Sequence, residues 1–444
     1  MYKILIISLL IISSLGLFAQ PVKVEVKQVD GKWTLLRGGE PYYINGAGGK
    51  GNLKTLARVG GNSIRIWSAD EAKEVLDEAH ANGLTVMFGL WVQHERHGFD
   101  YNNKEAVKGQ LEYFTEVVKK YKDHPALLLW TVGNEVDLFY TNFKVWDAVQ
   151  DIAKMIKEID PNHPISTVTA GLHEREVKMI KEKCPDIDIY GINTYSEACS
   201  IADNIRNWGW EKSYIISEWG PDGHWEVPKT KWNVPIEQTS HEKAIKYQER
   251  YRCIKDDAEM CIGSYVFLWG QKQETTATWY GLFTNKGEYT EVIDYVSHGW
   301  TGKWPENRAP SLDSIKVNDK KKDDDIYLIA DEKYTATVFA SDDHSDLNYQ
   351  WEIFPESDDV KAGGDFENAL DPVRGTIKRT KANLAHFRAP KKEGAYRIFV
   401  TVADKQGKVA YANVPFYVNP RGDEMPQSRP VMLKKRELNI DELK

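Results

Sequence analysis

Two glutamates stand in strongly apolar runs, and their type and placement make them the first candidates for chemistry. The run LLLWTVGNEVD, residues 127–137, places Asn134 and Glu135 near its end, and the run YIISEWG, residues 214–220, contains Glu218. A buried carboxylate is costly unless it is paired or neutralised, so one such glutamate is most simply a salt-bridge partner. Two such glutamates on one surface can act together on a substrate. Glycosidic bond hydrolysis requires such a pair, because one carboxyl group protonates the leaving oxygen while the other attacks the anomeric carbon or activates water.

The elements that must position these glutamates are short apolar strands that alternate with amphipathic helices between residues 42 and 300. The clearest helix is SADEAKEVLDEAHANG, in which Ser68 and Glu71 predict a capping box and Gly83 predicts the helix end. Eight βα repeats predict a (β/α)8 TIM barrel, whose active site lies at the C-terminal ends of the strands. Glu135 and Glu218 then follow strands four and seven, on the same rim. The predicted strands are Tyr42–Gly46, Ser63–Trp67, Leu84–Leu90, Ala126–Gly133, Pro164–Thr169, Ile187–Thr194, Ser213–Ser217 and Cys261–Trp269.

The pattern changes along the chain and predicts an α/β barrel followed by a C-terminal immunoglobulin-like β-sandwich. Beyond a linker that contains proline and glycine, apolar residues such as Trp351 and Ile353 alternate with polar ones, which is typical of strands. No exposed row of aromatic residues is evident in these strands, so a packing or spacer role is expected for the sandwich. The predicted regions are a signal peptide (1–19), the catalytic barrel (22–300), a linker (301–310), the sandwich (311–419) and a charged tail (420–444).

Two motifs give the barrel a family resemblance. HPALLLWTVGNE, around strand four, and the IKEIDPNHPIS that follows it are similar to the corresponding stretches of the clan A (β/α)8 glycoside hydrolases, and in particular of family-2-like members. The resemblance spans nearly the whole barrel. It implies a retaining mechanism in which Glu135 is the acid/base and Glu218 is the nucleophile, while Asn134 binds the 2-hydroxyl group of the sugar.

The same resemblance implies roles for three further residues. Arg65, a charge within the apolar strand IRIW, matches an arginine near the nucleophile. Tyr195 in GINTY matches a tyrosine that hydrogen-bonds the nucleophile, and Trp269 in SYVFLWG matches an aromatic floor under the cleaved sugar.

The loop WVQHERHGFDY, after strand three, holds Trp91, His94 and His97. Hydrogen bonding to sugar hydroxyl groups is the favoured interpretation, and an ordinary polar loop is the alternative. No complete set of metal ligands surrounds the two histidines, so we expect no metal and no cofactor.

The domain plan narrows the substrate. A signal peptide, a barrel, a short linker and an immunoglobulin-like domain together resemble the family-158 endo-β-1,3-glucanases. The resulting prediction is a secreted endo-β-1,3-glucanase that acts on a polysaccharide or oligosaccharide. An endo-β-mannanase and a β-1,3-glucan transglycosylase remain alternatives, as does a glycan-binding protein on an inactive barrel.

Composition excludes other classes of function. The formal charge of −8 comes from basic and acidic residues that are mixed along the chain, which predicts neither nucleic-acid binding nor membrane insertion after signal cleavage. The four cysteines have no metal-type spacing, so buried thiols are favoured, and one or two disulfides remain open. We expect an exported monomer in the periplasm, at the cell surface or outside the cell.

Overall fold

A small antiparallel sheet precedes the barrel and closes its lower end. The computed structural model describes residues 21–343 and 346–422, and its first strands are β1 (Val24–Val29), β2 (Lys32–Arg37) and β3 (Glu40–Pro41). Val24 and Leu35 pack against side chains inside the barrel, among them Ile44 and Met87. The sequence did not predict this sheet as a separate element. Because it occupies one end of the barrel, only the opposite end, where the strands finish, is open for a site.

The fold class predicted from the sequence is confirmed: eight parallel strands close into a barrel, in sequence order around the ring. Every residue of the fourth barrel strand is buried, as expected for a parallel strand covered on both faces. The barrel strands are β4 (Ile44–Gly49), β5 (Ser63–Ile66), β6 (Thr85–Leu90), β7 (Leu127–Val132), β8 (Ile165–Ala170), β9 (Ile189–Asn193), β10 (Tyr214–Trp219) and β11 (Cys261–Trp269). The helices are α1 (Leu53–Arg58), α2 (Ala72–Ala81), α3 (Lys104–Tyr121), α4 (Lys144–Ile159), α5 (Glu174–Lys183), α6 (Ile201–Asn207), α7 (Ser240–Asp256) and α8 (Glu291–Thr301).

The predicted capping box of α2 is wrong. The helix begins at Ala72, and Glu71 itself is the N-cap residue, in a left-handed conformation with no side-chain cap. The Ser68 hydroxyl instead donates to Asp70 Oδ2 at 2.9 Å, so the two polar residues form a local turn before the helix. Gly83 lies just beyond the helix end with a φ of 72°, as predicted for a terminating glycine.

The C-terminal region forms two facing sheets, one antiparallel and one mixed, around a core of its own, and the residues that were predicted to alternate, such as Trp351 and Ile353, are buried in it. One sheet has the order β13-β15-β18-β17 and the other β12-β20-β19-β16, with β14 paired to β20. These strands are β12 (Tyr289–Thr290), β13 (Ser311–Val317), β14 (Ile326–Ile329), β15 (Lys333–Ser341), β16 (Asn348–Pro355), β17 (Ile377–Lys381), β18 (Leu384–Arg388), β19 (Gly394–Ala403) and β20 (Lys408–Asn419).

Buried polar contacts fix the sandwich against the barrel. Lys243 and Glu237 form an ion pair at 2.6 Å, and both are nearly inaccessible to solvent. Asn413 of the sandwich donates to the other oxygen of Glu237 at 2.6 Å. A second buried pair joins Lys408 to Asp294 at 2.7 Å. Since buried charges are tolerated only with their partners in place, these contacts define one orientation of the two domains.

A disulfide joins Cys199 to Cys253, whereas Cys184 and Cys261 are buried thiols. The predicted signal peptide and nearly all of the predicted tail lie outside the described residues. Among the residues that are described, none of the helices combines the length and the apolar character needed to span a membrane.

Candidate active site

The fourth barrel strand ends in a sharp turn that exposes Glu135 at the mouth. Gly133 has a φ of 78° and Glu135 a φ of 51°, and a residue other than glycine pays for that left-handed conformation in backbone strain. The turn is held because Glu135 N donates to Val168 O at 2.9 Å. Strained backbone that its surroundings hold in place is typical of functional sites.

Three donors converge on the Glu218 carboxylate at the end of β10. Arg65 Nη1 lies 3.0 Å and Trp67 Nε1 2.8 Å from Oε1, while the Tyr195 hydroxyl lies 3.4 Å from Oε2. Arg65 is 1% exposed and Glu218 is buried. The structure thus brings the predicted Arg65 and Tyr195 to the predicted nucleophile, where they orient its carboxylate and compensate its charge.

Asn193 and Asn134 connect the two glutamates. Asn193 Nδ2 donates to Glu135 Oε1 at 2.8 Å and to Asn134 Oδ1 at 3.1 Å. Arg65 Nη2 donates to Asn134 Oδ1 at 2.6 Å, and Arg65 Nη1 reaches Asn193 Oδ1 at 3.2 Å. One arginine therefore contacts the surroundings of both carboxylates. The predicted sugar ligand Asn134 is held by its oxygen, which directs its amino group away from these donors.

The two carboxyl groups have different electrostatic environments. Part of the surface of Glu135 reaches solvent, but its carboxyl group lies deep in the mouth. That burial, followed by the negative charge of Glu218, raises the pKa of Glu135 to about 7. Hydrogen bonding from Asn193 and the charges of Arg65 and Arg96 oppose the rise. A carboxyl group with this pKa can donate a proton near neutral pH and accept one later.

The loop after β6 groups its two histidines with Trp91. The rings of Trp91, His94 and His97 form a stacked column, with centroid separations of 4.9 and 5.2 Å. His94 is 1% exposed, and its Nδ1 accepts from Arg96 Nε at 3.0 Å. Burial also lowers its pKa to about 4. His97 Nε2 lies 3.1 Å from both oxygens of Asp365. That these histidines bind sugar hydroxyl groups stays a prediction: His94 is buried, His97 faces the sandwich, and Trp91 is half-buried beside them.

Trp269 does not lie in the site. It is 1% exposed, its ring packs against Phe283 at 5.1 Å, and its Nε1 donates to Asn52 O at 3.3 Å. The pairing of β11 with β4 is irregular between Val266 and Trp269, and this irregularity precedes the turn of the indole into the core. Phe267 lies at the site instead, with its ring edge-on to Trp67 at 6.0 Å and to Tyr195 at 6.3 Å.

Several site residues were missed by the sequence reasoning. Trp67 and Asn193 each lie two positions from a predicted residue, Arg65 and Tyr195, so strand alternation pointed to them. Phe267 likewise lies two positions from a predicted residue, Trp269. Arg96 could not be distinguished in the sequence from the other polar residues of its loop. The described residues contain no group of three or more histidine, cysteine, aspartate or glutamate side chains placed to hold a metal ion.

Part of the barrel is similar in sequence to known proteins. Residues 69–228 match the TIM barrel domain of the glycosyl hydrolases family 2. A β-glucuronidase of Sus scrofa is 23% identical over 240 residues, which are 46% of this chain and 34% of that protein. Mannan endo-1,4-β-mannosidase F of Aspergillus fumigatus is 27% identical over 135 residues, 26% of this chain and 30% of that protein. The crystal structure of an FMN-binding β-glucuronidase from Facaelibacterium prausnitzii L2-6 superposes with a TM-score of 0.50 at 14% identity, covering 89% of this chain and 59% of that one.

These matches show that residues 69–228 of the barrel are similar to the TIM barrel domain of the glycosyl hydrolases family 2. The chain spans about a third of the length of the mammalian β-glucuronidases it matches and about half of a bacterial one. The named relatives are β-glucuronidases and a mannosidase, so the predicted resemblance to family-158 endo-β-1,3-glucanases rests on the domain plan alone.

Proposed function

We propose that the chain is a retaining glycoside hydrolase in which Glu135 is the acid/base and Glu218 is the nucleophile. The observation that carries this proposal is the contrast between the two carboxyl groups. Arg65, Trp67 and Tyr195 hold one of them as an oriented carboxylate. The other, on Glu135, has a pKa of about 7.

The reaction follows from these two environments. Glu135 protonates the glycosidic oxygen while Glu218 Oε2, which faces only the long contact with Tyr195, attacks the anomeric carbon. A glycosyl–enzyme ester forms and the leaving group departs. The charge of Glu218 disappears in the ester, and since that charge is one cause of the raised pKa, Glu135 then ionises more readily. As a carboxylate it removes a proton from water, which attacks the ester and releases the sugar with its configuration retained.

For the substrate we propose a neutral β-linked glucan that is cleaved internally at β-1,3 bonds. The domain plan supports this choice. A second consideration concerns charge: Arg65, Arg96 and Lys272 are each paired with an acid. A β-glucuronide, the substrate named for the relatives, would bring a further carboxylate that needs a cation of its own.

The test is a substrate panel. We expect a linear β-1,3-glucan to give a ladder of oligosaccharides early in the reaction, with no activity in Glu218→Gln. Release from an aryl β-glucuronide, or breakdown of mannan with the glucan untouched, would contradict the substrate proposal and leave the mechanism intact. Binding of glucan without release of reducing ends would instead favour a glycan-binding protein.

We also propose that the protein is exported. The predicted signal peptide and the Cys199–Cys253 disulfide support export, because disulfides persist in oxidising compartments. Sequencing of the mature N-terminus tests this, since retention of residues 1–19 in cell-derived protein would contradict it.

A further inference from the structure

A segment of the sandwich reaches the mouth of the barrel. This bridging segment, Lys361–Glu367, lies between β16 and β17. On one side Asp365 Oδ2 accepts from Arg96 Nη1 at 2.5 Å, in the loop after the third barrel strand. On the other side Gly364 O accepts from Lys272 Nζ at 2.6 Å, in the loop after the eighth strand. The segment therefore joins two loops that belong to different sides of the mouth.

The close approach depends on two glycines. Gly363 and Gly364 have φ values of 60° and 68°, in the region that favours glycine. A Cβ on Gly363 would collide with the Leu138 side chain, and one on Gly364 would lie 2.8 Å from Lys272 Nζ. Leu138 belongs to the turn of the acid/base glutamate, since its N–H donates to Glu135 O at 3.0 Å. The bridging segment thus packs directly on the turn that carries Glu135.

The contacts of Arg96 continue this path toward the acid/base carboxyl group. The Arg96 side chain is 9% exposed and lies between Asp365 and His94. Its Nε donates to Nδ1 of His94. The positive charge of Arg96 lowers the pKa of Glu135. Its partner Asp365 limits this effect, because an ion pair presents less net charge to its surroundings.

We propose that Asp365 is a positioning residue of the active site, which holds Arg96 beside the acid/base Glu135 and makes the C-terminal domain part of the catalytic unit. The inference rests on the proposed function, since it concerns the same glutamate. It replaces the spacer role that the sequence of the sandwich had favoured.

The pKa of Glu135 depends on charged groups from several elements, so a test must distinguish the effect of Asp365 from the effects of those groups. The titratable and charged groups that act on Glu135 or are acted on by it are Glu218, Arg65, Arg96, Asp137 and Tyr195. Arg96 and Asp365 form an ion pair outside the contacts of the two glutamates, and removal of one should have the opposite effect on the pKa of Glu135 to removal of the other.

The experiment compares Asp365→Asn with Arg96→Gln in the full chain. Asp365→Asn leaves Arg96 uncompensated, so the basic limb of kcat/KM on linear β-1,3-glucan should move to lower pH, by a few tenths of a pH unit to about one. Arg96→Gln removes the cation and leaves Asp365 with only His97 as a partner, so the same limb should move to higher pH. Asp365→Glu, which keeps the charge, should lie close to wild type.

Asp346→Asn is the matched control, because it makes the same substitution in an exposed ion pair of the same domain and should leave the profile unchanged. Titration of Glu135 by ¹³C NMR, assigned through Glu135→Gln, gives the same comparison without turnover. Unshifted titrations in both folded variants, or shifts in the same direction, would overturn the inference. Opposite shifts in a protein that hydrolyses no β-glycan would support the positioning role and reject the proposed function.

Discussion

Glu135→Gln should abolish hydrolysis and yet raise the free energy of unfolding at pH 8. The pKa of Glu135 rises from an ordinary value of 4.5 to about 7 in the folded protein. At pH 8 the Glu135 carboxyl group is therefore ionised in the folded protein, although it ionises more easily in the unfolded chain. One unit of pKa difference corresponds to about 1.36 kcal/mol. The ionised carboxylate of Glu135 therefore lowers the free energy of unfolding by roughly 3 kcal/mol at pH 8, and the neutral glutamine avoids this loss.

The sign of the pH dependence follows from the direction of the shift. Because the folded pKa lies above the unfolded one, the contribution of Glu135 to stability is fully present below pH 4.5 and is lost as the pH rises through about 7. The difference between Glu135→Gln and wild type should therefore be near zero at pH 4 and largest at pH 8.

The assay is urea denaturation of both proteins at several pH values between 4 and 8. Glu218→Gln provides the contrast, since it leaves Arg65 buried without its carboxylate and should lose about 3–5 kcal/mol at pH 8. A Glu135→Gln variant that is no more stable than wild type at pH 8 would refute the reasoning. So would a gain in stability that is the same at pH 4.

Three further predictions concern the roles of individual residues. Glu135→Ala should still form the intermediate from an aryl glycoside whose leaving group needs no proton, and azide should restore turnover with retained configuration; with Glu218→Ala, azide should give at most an inverted product. NMR of the glycosyl azides decides this, and retention with the Glu218 variant would reverse the roles. Phe267→Ala should lower kcat about tenfold, or about 1.4 kcal/mol, because Trp67 and Tyr195 lose their support. Trp269→Ala should instead cost about 3–5 kcal/mol of stability with kcat nearly unchanged, and a selective loss of kcat there would return Trp269 to the site.

The barrel was predictable because its determinants are local. Most of the barrel strands, which are four to nine residues long in the structure, are apolar runs that stand out from the amphipathic stretches between them. Arg65 and Glu218 were visible because a charge in such a run needs a partner, and each turned out to be the partner of the other, at 3.0 Å. The capping box failed because its motif also fits the turn that Ser68 makes with Asp70.

Position along a strand was harder to predict than the strand itself. Side chains alternate between faces, so Trp67 follows from Arg65, and Asn193 from Tyr195, by a step of two. The same step links Phe267 to Trp269, but irregular pairing between Val266 and Trp269 breaks the alternation there. A register irregularity depends on the neighbouring strand, and the sequence of β11 alone does not contain it.

The contact between Arg96 and Asp365 lay beyond any local pattern, since 269 positions separate the two residues and each belongs to a different domain. Its geometry depends on how the domains are docked, and that depends on buried contacts between them, such as the ion pair of Lys408 with Asp294. Because an unpartnered buried charge is costly, the interface resists rotation, and the bridging segment stays on the turn of Glu135. If Asp365 positions Arg96 as proposed, the charge environment of the acid/base depends on interface contacts away from the bridging segment, such as that of Asn413 with Glu237. A change at Glu237 or Asn413 should therefore alter the pH profile of catalysis without touching the mouth of the barrel.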